Sequence, residues 1–199
     1  MKKVTREEWL TKAINICTNF KFSPKGYKVP KLRVSVGLPY GRGSKKAIGQ
    51  HWHPRASEDK LGSIFISPTI NDSTEVLATL VHEIVHGVVG NEAKHGPVFR
   101  KCAVDVGLEG KMTATNATDD LKKFFKKFVI AKIGKYPHSR LNIETGRPDK
   151  KQTTRMIKME CEECEYKVRG ALTKIIENGP VICPCNEKPM IVDMPEEGD

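Results

Sequence analysis

The segment His82-Glu83-Ile84-Val85-His86 sets two imidazoles four residues apart. On a helix advancing about 100° per residue, they fall about 40° apart, one turn from each other, so both can reach one tetrahedral ion. Glu83 lies about 100° round from His82, placed to serve a water on the ion rather than the ion itself. The chemistry this suggests is metal-assisted hydrolysis. A surface pair of histidines on an amphipathic helix is the bland alternative.

A catalytic zinc needs a third protein ligand and an open fourth position. A metzincin would carry Gly and His three and six residues after His86, where this chain has Val89 and Glu92, so that class is excluded. A deformylase-like site would want a cysteine in a loop upstream of the helix, and the nearest, Cys17, reads as helix core. His95 remains, in Lys94-His95-Gly96-Pro97. Gly87 and Gly90 can end the helix and turn the chain back, and Gly96-Pro97 opens another. Glu92 and Asp105 are the alternative third ligands.

Four of the six cysteines, Cys161, Cys164, Cys183 and Cys185, crowd the last fifth of the chain, while Cys17 and Cys102 sit alone in amphipathic surroundings. Clustered thiolates in an unsecreted protein favour a structural zinc over disulfides. Zinc ribbons usually carry C-P-x-C in the second knuckle; here it is Cys183-Pro184-Cys185, which puts the departure from pattern on Cys185. Zinc would supply folding energy that about 40 residues cannot draw from a core.

The 199 residues carry a net charge of +10, but unevenly: residues 1–60 hold +10, 61–110 hold −3, 111–155 hold +8 and 156–199 hold −5. A polyanion would meet the first or third block, not the acidic cysteine-rich end. Hydrophobic residues at 38% and charged residues at 29% fit a globular chain, and no apolar run approaches the ~18 residues of a membrane span. The N-terminus has positive charge without an apolar stretch after it, which predicts a cytoplasmic location, with nucleoid or nucleic-acid association open.

Several elements must position these residues. Thr5-x-x-Glu8 is a capping box opening a helix near 5–20, with Trp9, Ala13, Ile16, Cys17 and Phe20 at helical spacing. Strands are expected near 31–38, 46–53 and 64–66, joined by hairpin-like connections into a small antiparallel or mixed sheet. Asn71-Asp72-Ser73-Thr74-Glu75 starts the histidine-bearing helix, and further helices fit 97–106 and 119–133. In the last of these, Leu121, Phe124, Phe125 and Phe128 read as core and Lys122, Lys123, Lys126 and Lys127 as a wet face or phosphate-tracking ridge. A ribbon of strands at 153–160, 165–170 and 190–194 follows, with a helical or turn segment through Asn178-Gly179. The layout is α+β: 1–141 a catalytic domain, 142–155 a linker, 156–194 the ribbon and 195–199 an acidic tail.

His-Glu-x-x-His followed by His-Gly-x-x-Phe, a preceding strand ending in Ser-Pro and a C-terminal four-cysteine ribbon together resemble the SprT-like zinc metallopeptidases, the group that includes Spartan. The resemblance covers residues 30–110 well and 111–194 in outline. It implies a small sheet covered by helices with a gluzincin-like active-site helix, one catalytic and one structural zinc, and hydrolysis of peptide bonds. In the eukaryotic relatives the substrates are proteins trapped on DNA. By motif match, the ligands fall on His82, His86 and His95 and the acid/base on Glu83. The partners implied are a protein or peptide substrate and DNA through the basic blocks, with no membrane. A non-proteolytic, nucleic-acid-associated zinc protein retaining the fold is the alternative.

Arg100, Tyr136 and His138 are candidates for stabilising an oxyanion. His51 and His53 share a strand face and would suit either a second metal site or a sheet edge that an extended substrate joins. Gly41-Arg42-Gly43-Ser44-Lys45-Lys46 lacks P-loop spacing, but Arg42, Lys45 and Lys46 could touch phosphates.

Overall fold

The computed structural model describes residues 4–41, 47–146 and 156–194. The chain divides into two compact units, Met1–Gly146 and Arg147–Asp199, and is mixed α+β. No helix among the described residues is long and apolar enough to cross a membrane.

In the first unit, α1 (Arg6–Cys17) begins at the Thr5/Glu8 capping box, with both reciprocal bonds made. It runs on through a π-helical turn, Thr18–Phe22, and a short 3₁₀ turn, Ser23–Lys25, that ends at Gly26. Its inward face is Trp9, Leu10, Ala13, Ile14, Ile16 and Cys17. Strands β1 (Leu32–Val36), β2 (Gly49–Trp52) and β3 (Gly62–Ile66) form a mixed sheet in the order β1-β3-β2. β1 pairs parallel with β3, and β2 pairs antiparallel with it. The expected hairpin between the first two strands is therefore absent: the parallel pairing of β1 with β3 requires a crossover, and β2 becomes an edge strand.

Asp72 caps α2 (Ser73–Val89), its carboxylate accepting from the Thr74 and Glu75 amides at 2.9 Å. This helix is the centre of the core, with Val76, Leu77, Leu80, Val81, Ile84 and Val85 fully buried. It ends at Gly90, whose φ of 82° is a conformation glycine adopts without a Cβ penalty. α3 (Pro97–Asp105) follows. Then comes a hairpin that the sequence reading lacked: β4 (Leu108–Lys111) antiparallel to β5 (Ala114–Ala117).

The helix expected at 119–133 is present as α4 (Asp119–Phe124), a π-helical stretch Phe125–Ile130 and a last turn α5 (Ala131–Ile133). The π-helical stretch overturns one expectation. Its wider turn adds a residue per repeat, so the inward position after Phe124 and Phe125 passes to Val129, fully buried, and Phe128 turns outward at 41% exposure. Residues expected to form a linker include a short helix, α6 (Ile143–Gly146); 147–155 lie outside the described residues, as does the acidic tail 195–199.

In the second unit, β6 (Met156–Glu160), β7 (Lys167–Ala171) and β8 (Ile191–Val192) form an antiparallel sheet in the order β7-β6-β8, with α7 (Leu172–Asn178) after β7. Its core is small: Met159, Met190, Cys161 and Cys183, with Val168, Ile175 and Val192 packed on them.

Candidate metal centres and the cleft between β2 and the β4–β5 hairpin

His82 and His86 lie on one face of α2, and the turn after Gly90 returns His95 to them. The His95 Nε2 stands 3.2 Å from His86 Nε2 and 3.3 Å from His82 Nε2. An ion with nitrogen ligands at about 2.0–2.1 Å in a tetrahedron would hold them about 3.3–3.4 Å apart. His95 therefore already stands at the separation from each of its partners that such an ion would impose, all three ligand atoms lie within 4.8 Å of one another, and the group could hold a metal. The alternative third ligands are occupied elsewhere. Glu92 pairs with Arg55 at 2.5 Å, and Asp105 accepts from the Tyr27 hydroxyl at 2.6 Å and the Lys101 ammonium at 2.7 Å.

Phe99, the third residue of α3 and fully buried, forms the apolar floor beneath all three rings, with centroids 4.9, 4.5 and 5.0 Å from His82, His86 and His95. The hairpin supplies the orienting partner: His82 Nδ1 lies 2.9 Å from the Thr115 hydroxyl, and the tautomer in which Nδ1 donates to it leaves Nε2 free to ligate. Burial pushes the imidazolium pKa of His82 down to about 4 and of His86 to about 3, with repulsion from neighbouring rings adding to it, and lowers that of His95. At neutral pH the rings are uncharged and their lone pairs available.

Glu83 faces the same cleft but is 5% exposed. Loss of water raises its carboxyl to about 8, opposed by a hydrogen bond from the His51 main-chain N–H. A nearby cation would draw it back toward the ionised form. Room for this carboxylate comes from Gly49 on β2: a Cβ there would stand 2.6 Å from Glu83 Oε1 and 2.6 Å from Thr79 Cγ2. The cleft, about 710 Å³, is walled on one side by Ala47–His51 and on the other by Thr113–Asn116, with α2 as its base.

His51 and His53 do not come together as a second metal pair. His51 Nδ1 donates to Asn91 Oδ1 at 2.7 Å, and His53 Nδ1 accepts from the Arg55 amide at 3.2 Å, capping the turn Pro54–Ala56. None of the oxyanion candidates lines the cleft. Tyr136 is buried edge-on against Trp9 at 5.1 Å with Arg6 over its ring, and Arg100 and His138 are exposed elsewhere on the unit. The polar side chains that do line it, Thr113, Thr115, Asn116, Gln50, Asn91 and Lys94, come largely from the hairpin and the turn after α2. The sequence signal for the hairpin was faint: Gly107, at positive φ, precedes its first strand and Gly110, also at positive φ, lies within it, and Ala, Thr and Asn make a poor strand pattern.

In the second unit the four cysteine sulfurs lie within 4.8 Å of one another and could hold a metal. Neighbouring pairs are 3.4–3.6 Å apart, close to the roughly 3.8 Å edge of a tetrahedron with sulfur at about 2.3 Å from zinc. The two cysteine turns share one backbone form. Glu165 and Glu187, each four residues past the first cysteine, adopt φ of 56° and 55° and return their N–H to the carbonyls of Cys161 and Cys183. In the first turn the third position along is Cys164; in the second it is Asn186, whose amide points to Cys161 Sγ at 3.7 Å, while Cys185 brings the thiol in from one position earlier. The departure from C-P-x-C is thus absorbed locally. Backbone amides of Cys164 and Glu163 pull the Cys161 thiol down to about 6, which favours the thiolate a metal requires.

Of the residues named for phosphate contact, Arg42, Lys45 and Lys46 lie outside the described residues. Lys122 and Lys123 pair with Asp119 and Asp120, whereas Lys126 and Lys127 make no ion pair among the described residues. Comparison with protein-family models, with characterised proteins and with solved structures finds no match.

Proposed function

We propose that the chain is a zinc-dependent metallopeptidase of the SprT-like kind, with a gluzincin-like arrangement of active-site helix and sheet, acting on proteins associated with nucleic acid. The observation that carries this reading is the convergence of three imidazoles, with His95 Nε2 at tetrahedral spacing from both His82 and His86, beside a buried carboxylate from the same helix, in an open cleft. Zinc suits three nitrogen ligands, and when bound it would act as a Lewis acid and lower the pKa of water to about 7.

The chain's own residues divide the remaining work. His82, held by Thr115, and His86 and His95, seated on Phe99, would hold the ion. Glu83 would take a proton from the attacking water and deliver it to the departing amine nitrogen. Its burial keeps competing water away, and Gly49 lets β2 approach close enough for the His51 amide to aim the carboxylate. Among the described residues β2 is paired only with β3, so an extended peptide could lie along its other edge, across the cleft. The cysteine group of the second unit would hold a structural zinc. The nucleic-acid association is supported by the two basic blocks, +10 over residues 1–60 and +8 over 111–155.

The test is metal dependence on an unfolded protein substrate. Cleavage should disappear after chelation and return with zinc but not magnesium. Hydrolysis that survives complete chelation would overturn the assignment.

A further inference from the structure

Where α1 runs into its π-helical turn, the first unit exposes an aromatic cluster. Phe20 is 55% exposed and Phe128 41%, and their rings lie 6.0 Å apart at 24° to one another. Phe124, buried beneath, continues the array at 5.4 Å and 26° from Phe128. A phenylalanine pair with this exposure loses the hydrophobic contribution that burial would give, and the fold does not require it: Val129, not Phe128, fills the core position. Two ammonium groups stand over the rings, Lys21 Nζ 4.9 Å from the Phe124 centroid and Lys127 Nζ 5.3 Å from that of Phe128. Lys21, Lys126 and Lys127 make no ion pair among the described residues, while the lysines one turn earlier, Lys122 and Lys123, are neutralised by Asp119 and Asp120. Two of these free cations, Lys21 and Lys127, therefore stand at the flat apolar surface, and none lies along the first turn of α4.

We propose that Phe20 and Phe128, with Lys21 and Lys127, form a binding platform for single-stranded nucleic acid, bases stacking on the rings and phosphates meeting the lysines. The combination selects this occupant. Near-parallel aromatic faces offer stacking that a duplex, with its bases already paired and stacked, cannot use. A membrane surface would want a longer aliphatic stripe than two rings supply. An acidic peptide would satisfy the lysines but leave the rings without a flat partner. The surface bears on the nucleic-acid half of the proposed function and is read by binding, so it stands or falls separately from peptidase activity.

The experiment is fluorescence anisotropy of labelled oligothymidylate and oligouridylate of about 15 nucleotides, a length that spans one such site, titrated with the full chain across a salt series. Wild type should bind at least one of them, more weakly as salt rises, and the stronger arm identifies the sugar. Phe20→Ala and Phe128→Ala should each weaken binding about 5- to 100-fold without changing the salt slope, the range expected for loss of one stacked base. Phe128→Tyr should keep the affinity within about twofold, and Phe128→Leu, apolar but not flat, should lose it as alanine does. Lys127→Gln should reduce the slope of log K against log salt by about 0.7. Both phenylalanines are substantially exposed, so the variants should melt with wild type, and the Tyr/Leu contrast reads stacking even if alanine disturbs the fold. Absence of binding to either strand, equal binding by the leucine and tyrosine variants, or an equal loss on a duplex of the same length would overturn the proposal. So would phenylalanine variants that lose anionic-vesicle binding but keep the oligonucleotide.

Discussion

Substituting Gly49 by alanine adds one methyl group at the closest approach of β2 to α2. The new Cβ would stand 2.6 Å from both Glu83 Oε1 and Thr79 Cγ2, against an ordinary contact that begins at 3.4 Å, so each neighbour or the strand must yield by at least 0.8 Å. Neither can do so freely: Thr79 Oγ1 is tied to the Glu75 carbonyl at 2.9 Å, and Glu83 is enclosed by the helix and the strand. Overpacking of this kind costs about 1–3 kcal/mol, and displacing a reacting group by about 1 Å costs about 100-fold in rate. The predicted variant melts lower, retains both zinc ions because the atoms nearest the new methyl belong to Glu83 and Thr79 and not to a ligand, and cuts an unfolded substrate about 100-fold more slowly through kcat. Adding Thr79→Ser removes one of the two clashes while keeping the hydroxyl, so it should recover stability without recovering cleavage. Melting, zinc content and steady-state cleavage of the three proteins form the assay. Wild-type kcat in Gly49→Ala would refute the claim that β2 aims Glu83.

The hairpin makes a separate prediction. Thr115→Val removes the acceptor of His82 Nδ1 and should weaken zinc at the histidine site about 10- to 100-fold by competition with a chromogenic chelator, while Thr115→Ser restores it. Cys185→Ser should release the zinc of the second unit and expose its small core to protease, leaving the histidine zinc in place; an unchanged zinc count would remove Cys185 from the site.

The parts legible in the sequence were those with strong local signals. Asp72 and the apolar run after it announced α2, and the four-residue histidine spacing announced its face, because cap chemistry and helical period are properties of a few adjacent residues. Thr5 and Glu8 did the same for α1. His95 followed from turn residues around it. What was missed depended on contacts distant in sequence. The β1-β3-β2 order joins strands distant in sequence, with β1 packed on α1 and β2 and β3 on α2, so proximity suggested a hairpin that is not there. Apart from Leu108, β4 and β5 are built from Glu, Gly, Lys, Thr, Asn and Ala, mostly residues of poor strand propensity, and they pack on α3 and α2 respectively. With the hairpin unseen, Thr115 had no visible role, and the oxyanion candidates were sought in the wrong places. The π-helical stretch is invisible to a 3.6-residue period, so Phe128 was counted as core.

The central claim is that a zinc held by three histidines and a carboxylate on the neighbouring position make a peptidase. Cleavage of an unfolded protein by zinc-loaded wild type and Glu83→Gln, followed by mass spectrometry of the products, tests it most directly. Both proteins should carry two zinc ions per chain, and only wild type should yield new peptide termini. Equal cleavage by the two, or none by zinc-loaded wild type, would contradict the account.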